Sequence, residues 1–113
     1  MAKNENVEAE VISADEAKEG VLHFLKPVTW EGKEYKFVDL SGLEDVKASD
    51  MIEAQRMMER SGEVSLTPEM SLSYACFMAA KCSGVPIEFF HRLPAREALR
   101  LKNRVIGFFY GRD

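Results

Sequence analysis

"KPVTWEGKEYKF", residues 26–37, has the form of a β-hairpin: two short runs rich in β-branched and aromatic residues flank Glu31 and Gly32. Glycine in the second turn position supplies the positive φ that a type I′ turn requires. Extending outward, the strands are expected over residues 21–30 and 33–40. Counting back from the turn sets Val28 opposite Tyr35, Lys26 opposite Phe37 and Leu25 opposite Val38. Phe24, Val28, Trp30, Tyr35 and Phe37 then share one apolar face. In this register Pro27 opposes Lys36 in a non-hydrogen-bonded pair, so the first strand is expected at a sheet edge, with no third strand beside it. A lone ribbon of two strands is barely stable, and its apolar face must lie on helices.

The sequence after the hairpin supplies them. Ser49 or Asp50 reads as the cap of a helix reaching about Arg60, with Gly62 as the residue that ends it. Met51, Ala54, Gln55 and Met58 form its inner stripe. Thr67, Pro68 and Glu69 combine a hydroxyl cap, a first-turn proline and an acid, which predicts a second helix running to Ser83 and stopping at Gly84. That helix is apolar nearly all round and is expected at the centre, with Phe77 in the core. Pro86 starts a short helix through Phe89 and Phe90, and Pro94 opens a final one to about Tyr110. The expected class is α+β: an N-terminal two-stranded hairpin followed by three to four helices, mostly helical. Residues 20–113 form one such domain, and residues 1–19, acidic and poor in aromatics, form a flexible tail.

Composition narrows the function. The chain has 113 residues and a net charge of −4, which opposes nucleic acid and anionic membranes. No segment reads as an export signal or membrane span, so a cytoplasmic location is expected, with Cys76 and Cys82 as free thiols. Those two stand about 240° apart on a helix and do not make a metal-binding pair. His23 and His91 fall on different elements, and no phosphate loop or nucleophile elbow is present. The acids Asp39, Glu44, Asp45 and Asp50 lack the spacing and glycine of a calcium loop. A non-enzymatic protein without cofactor or metal is expected.

Two surface features remain. Arg92, Arg96, Arg100 and Arg104 repeat every four residues along the last helix, forming a charged contact stripe that could meet phosphates or acidic partners. A small nucleic-acid-binding or regulatory protein is therefore the alternative reading. The other feature is apolar. Met57 and Met58 are adjacent and cannot both face inward, and Phe108, Phe109 and Tyr110 point about 100° apart in succession. These five residues are the expected partner-binding surface.

The order of the pieces resembles a known family. Lys26-Pro27-Val28, Gly32-Lys33, Ser83-Gly84-Val85-Pro86 and Leu93-Pro94-Ala95-Arg96, taken in sequence, are similar to the small tail assembly chaperones of contractile-tailed bacteriophages and prophages. The resemblance covers about residues 25–110, while the connector "DLSGLEDVKASD" departs from the commoner version. It implies a protein of the bacterial host cytoplasm that binds the tape measure protein, keeps it soluble and helps recruit tail tube subunits. A homo-oligomer is compatible with that role.

Overall fold

The structure, a computed structural model, describes residues 20–111; the tail expected over residues 1–19 lies outside the described residues. Strand β1 (Val21–Trp30) and strand β2 (Lys33–Asp39) form an antiparallel hairpin. Four helices follow: α1 (Ala48–Arg60), α2 (Leu72–Ser83), α3 (Ile87–His91) and α4 (Ala95–Tyr110). Short 3₁₀ turns occupy Ser41–Asp45 and Pro68–Met70. The fold is α+β, as the residue pattern predicts. Helix α2 is central and contacts each of the other three helices.

The hairpin turn is type I′, with positive φ at both Glu31 and Gly32. Beyond it the register departs from expectation. Val28 pairs with Tyr35 as counted, but the outer half pairs His23 with Phe37, Leu22 with Val38 and Val21 with Asp39. Residues 24–27 thus stand against Lys36 alone, a bulge of three extra residues. Lys26 does not face Phe37, and Leu25 does not face Val38. Because the shift is odd, it exchanges the two faces of the outer half. Val38 becomes core, and Phe37 turns outward to pack on the His23 ring, centroids 5.6 Å apart.

The bulge is stabilised from a distance. Its freed amides meet the carboxylate of Glu97 on α4: Leu25 N–H donates to Oε2 at 2.7 Å and Lys26 N–H at 3.3 Å. Oε1 of the same carboxylate accepts from Arg100 Nη1 at 2.9 Å, and that nitrogen also donates to the His23 carbonyl at 2.7 Å. One turn further, Arg104 Nη1 donates to the Val21 carbonyl at 2.9 Å. Three side chains of one helical stripe therefore take the place a third strand would have filled. Pro27, which has no N–H, sits inside the bulge without cost. Among the described residues the sheet has two strands only.

The apolar face of the hairpin rests on α3. Phe89 is buried, and its ring contacts Tyr35 at 4.7 Å, Phe90 at 5.0 Å, Trp30 at 5.9 Å and Phe24 at 6.1 Å. Tilted and edge-on aromatic pairs at these separations are favourable beyond their buried area. Phe77, expected in the core, is only partly buried, with the Lys81 ammonium 6.0 Å from its ring centre. Tyr74, Ala75, Met78 and Ala79 present the inner face of α2 instead.

Helix ends follow local chemistry, with two adjustments. Asp50 is the third residue of α1 rather than its cap, and its Oδ2 accepts the Lys47 N–H at 2.9 Å. Helix α2 starts four residues later than Pro68 suggests. Pro68–Met70 closes a 3₁₀ turn, and Ser71 caps α2 by accepting the Tyr74 N–H at 3.1 Å. Gly42 is required by contact: a Cβ there would lie 3.0 Å from the Cys82 carbonyl oxygen, so the 3₁₀ turn can seat on the end of α2.

Two outcomes are expected from urea melts. Glu97→Ala leaves two amides without their acceptor and removes the ion-pair partner of Arg100, and stability is expected to fall by about 2–4 kcal/mol; a loss below about 1 kcal/mol would mean the carboxylate is not holding the bulge. Phe89→Ala should lose about 3–5 kcal/mol, and clearly more than Phe77→Ala. The reverse order would contradict the packing described above.

A candidate protein-interaction surface

The groups that could carry chemistry lie apart. His23, on β1, packs its ring against Phe37 of β2, while His91 is exposed at the end of α3. Burial pushes the Cys76 thiol up to about 11, well away from a reactive thiolate. Among the described residues no three His, Cys, Asp or Glu side chains are grouped to hold a metal ion, and no helix is long and apolar enough to cross a membrane.

The arginine stripe divides in two. Arg100 and Arg104 are committed to the carbonyls of β1, as described above, and do not present a free row of cations. Arg96 is exposed in the first turn of α4, whereas Arg92, also exposed, ends α3 and is not on the last helix as expected, because Pro94 separates the two. The four-residue spacing that suggested a contact stripe for all four is, for its C-terminal half, the spacing at which a helix reaches successive outward carbonyls of an adjoining strand.

The apolar candidates also separate. Met58 is 2% exposed and belongs to the core, its sulfur accepting from Ser71 Oγ at 3.6 Å; it is not available to a partner in this fold. Met57 and Phe109 are partly buried against that core. Phe108 and Tyr110 are exposed, at 43% and 56%, and Phe108 meets Phe109 edge-on with centroids 5.4 Å apart. Of the adjacent methionines, the inward one is Met58, because it follows Ala54 at four-residue spacing and Ala54 faces α2.

The structure adds residues that the sequence reading passed over. Tyr110 donates its hydroxyl to Glu69 Oε2 at 3.1 Å, which fixes the end of α4 against the Pro68–Met70 turn. Met70, substantially exposed, is the residue after Glu69 in that contact, and Leu72, also exposed, opens α2 just after the Ser71 cap. A signal for them was present. Met70 and Leu72 flank the Ser71 cap, at the entrance of α2.

Beneath this surface lies Tyr74, fully buried, with no hydrogen-bond partner for its hydroxyl. Burial, reinforced by the nearby Glu69 carboxylate and Tyr110, pushes its pKa up to about 12. A raised folded-state pKa gives stability that is complete below the ordinary value of 10.0 and is lost as pH rises from there towards about 12. Tyr74→Phe removes an unpaired hydroxyl and is expected to change stability at pH 7 by less than about 1 kcal/mol. Between pH 10 and 12 the variant should lose stability less steeply than the wild type in parallel melts. Equal slopes would show that the hydroxyl is solvated. Cys76, with its own raised pKa, contributes equally to both proteins and cancels in the comparison.

Comparison with protein families finds one whose description is phage tail assembly chaperone proteins, E, or 41 or 14, matching residues 22–110. No curated protein and no solved structure matched the chain. The matched span begins in β1 and closes with the last residue of α4, so it takes in the hairpin, its bulge and all four helices. The chain belongs to the family of phage tail assembly chaperones.

Proposed function

We propose that this protein binds the tape measure protein of a phage or prophage tail in the cytoplasm of the bacterial host, keeps it soluble, and hands it to the assembling tail tube. Membership of a tail assembly chaperone family supports the general role. The observation that carries the finer reading is the apolar end formed by Met70, Leu72, Phe108 and Tyr110. Large apolar side chains left exposed together are a usual mark of a protein contact. Four exposed side chains suit a weak contact repeated along a long partner rather than a permanent interface. The methionine and tyrosine are adaptable or amphipathic side chains, suited to many similar sites on a helical partner. The partner surface expected from sequence is thus revised to keep Phe108 and Tyr110, with Met57 and Phe109 at its margin and Met58 beneath.

The nucleic-acid reading loses its main support, since Arg100 and Arg104 are occupied within the fold. Catalysis plays no part in the proposal.

Co-expression with the tape measure product of the same phage is expected to move that product from the pellet to the soluble fraction. A Met70→Glu/Phe108→Glu variant, shown to be folded by circular dichroism, should lose at least about tenfold in affinity for it, roughly 1.4 kcal/mol. Undiminished binding by the folded variant would remove this surface from the account. Failure of the wild type to solubilise or bind the product would remove the partner.

A further inference from the structure

The bulge that joins the hairpin to α4 leaves two large apolar side chains in water. Leu25 lies within it and is 58% exposed; Phe37, turned outward by the register shift, is 49% exposed beside His23. Cations adjoin them. Lys26 follows Leu25, Lys36 precedes Phe37 and stands alone against residues 24–27, and Arg96 adjoins Glu97, whose carboxylate holds the Leu25 and Lys26 amides. All three cations are exposed, and no ion pair between described residues takes them up. The acids of the same elements are placed otherwise: Glu97 is buried, Asp39 accepts the Ser41 N–H, and Glu34 pairs with Thr29 towards the turn. The result is an apolar patch flanked by positive charge, on a protein whose net charge is −4.

The chain carries a complement to this patch. Residues 1–19 hold six acids and two lysines, net −4, while residues 20–113 balance thirteen cations against thirteen acids, so the whole excess of negative charge lies in the first segment. There Val7, Val11 and Ile12 stand among Glu8, Glu10 and Asp15. We propose that this segment folds back on its own domain, with Val11 and Ile12 on Leu25 and Phe37 and its carboxylates against Lys26, Lys36 and Arg96. Reach permits it. The segment joins the domain at Gly20, whose carbonyl accepts the Leu40 N–H, at the same end of the hairpin as the His23–Phe37 pair. Ile12 stands eight residues before Gly20, and an extended chain advances about 3.3 Å per residue, roughly 26 Å over that length. Returning from Gly20 to the level of His23 needs only about 10 Å on the same count. Attachment also decides the occupant: a tethered segment meets the patch at an effective concentration of about millimolar, which a separate acidic chain would have to match. The contact is weak, because exposed ion pairs contribute little each and salt screens them. It involves none of Met70, Leu72, Phe108 and Tyr110, and stands whether or not those residues bind the tape measure protein.

Paramagnetic broadening in the full chain, read by NMR, tests this. A nitroxide at Ala9→Cys, in a Cys82→Ser background that leaves only the buried Cys76, is expected to broaden the Leu25, Lys26 and Phe37 amides in dilute low-salt buffer. Raising the salt to about 1 M, where screening shortens to about 3 Å, should reduce that broadening at least about twofold. A Lys26→Glu/Lys36→Glu variant changes two exposed positions, and circular dichroism verifies its fold; it should lose the salt-dependent part. A mixture of nitroxide-bearing protein with isotope-labelled, nitroxide-free protein should show no such broadening, which assigns the contact to a single chain. Broadening that is absent at Leu25 and Phe37, that salt does not alter, that survives the double charge reversal, or that appears equally in the mixture would overturn the proposal.

Discussion

One carboxylate decides how the two halves of this protein meet. Glu97 is 4% exposed, and it accepts from two amides of a strand bulge and from Arg100 on its own helix. A buried carboxylate is tolerated only when such bonds replace its hydration. The bulge in turn is tolerated only because its amides have an acceptor. Each side of the contact therefore requires the other. With Arg100 and Arg104 bonded to outward carbonyls of β1, the helix closes an edge that would otherwise invite another strand.

The consequences extend through the core. The three-residue shift brings Val38 inward beside Leu22 and Phe24, and towards the turn Trp30 and Tyr35 face Phe89. Helix α3, only five residues long, is thereby held under the hairpin by aromatic contacts rather than by its own helical stability. Helix α4 continues past Val21, where β1 begins, so among the described residues no strand covers its last turn. Phe108 and Tyr110 are exposed for that reason, and the Tyr110–Glu69 bond holds them in place beside Met70. The same pairing that stabilises the domain thus determines where these apolar side chains lie.

Local chemistry was legible in the sequence and long-range chemistry was not. Gly32, Gly62 and Gly84 each take the positive φ that their positions after a turn or helix suggest. The strands, the four helices and the edge position of Pro27 follow from equally local signals. The bulge does not, because the residue that stabilises it lies 72 positions away in the chain from Leu25. Nothing near Pro27 announces it, and a carboxylate in the first turn of α4 reads equally well as a response to the helix dipole. The arginines were misread for a related reason: periodic spacing shows which residues share a helix face, not what that face meets. Met58 and Val64 illustrate the limit for apolar residues. The helical stripe of α1 sorts Met58 inward with Ala54, but the stripe ends at Gly62, and no periodicity beyond that turn shows that Val64 is exposed.

The coupling of bulge and helix is tested most directly by amide hydrogen exchange at Leu25 and Lys26, followed residue by residue by NMR in the wild-type protein. Bonded to a buried carboxylate, these two amides should exchange as slowly as the interior amides of α4, through opening of the whole domain. If both exchange at the rate of an exposed loop while α4 stays protected, the Glu97 carboxylate does not hold the bulge, and the account of how hairpin and helix are joined is wrong.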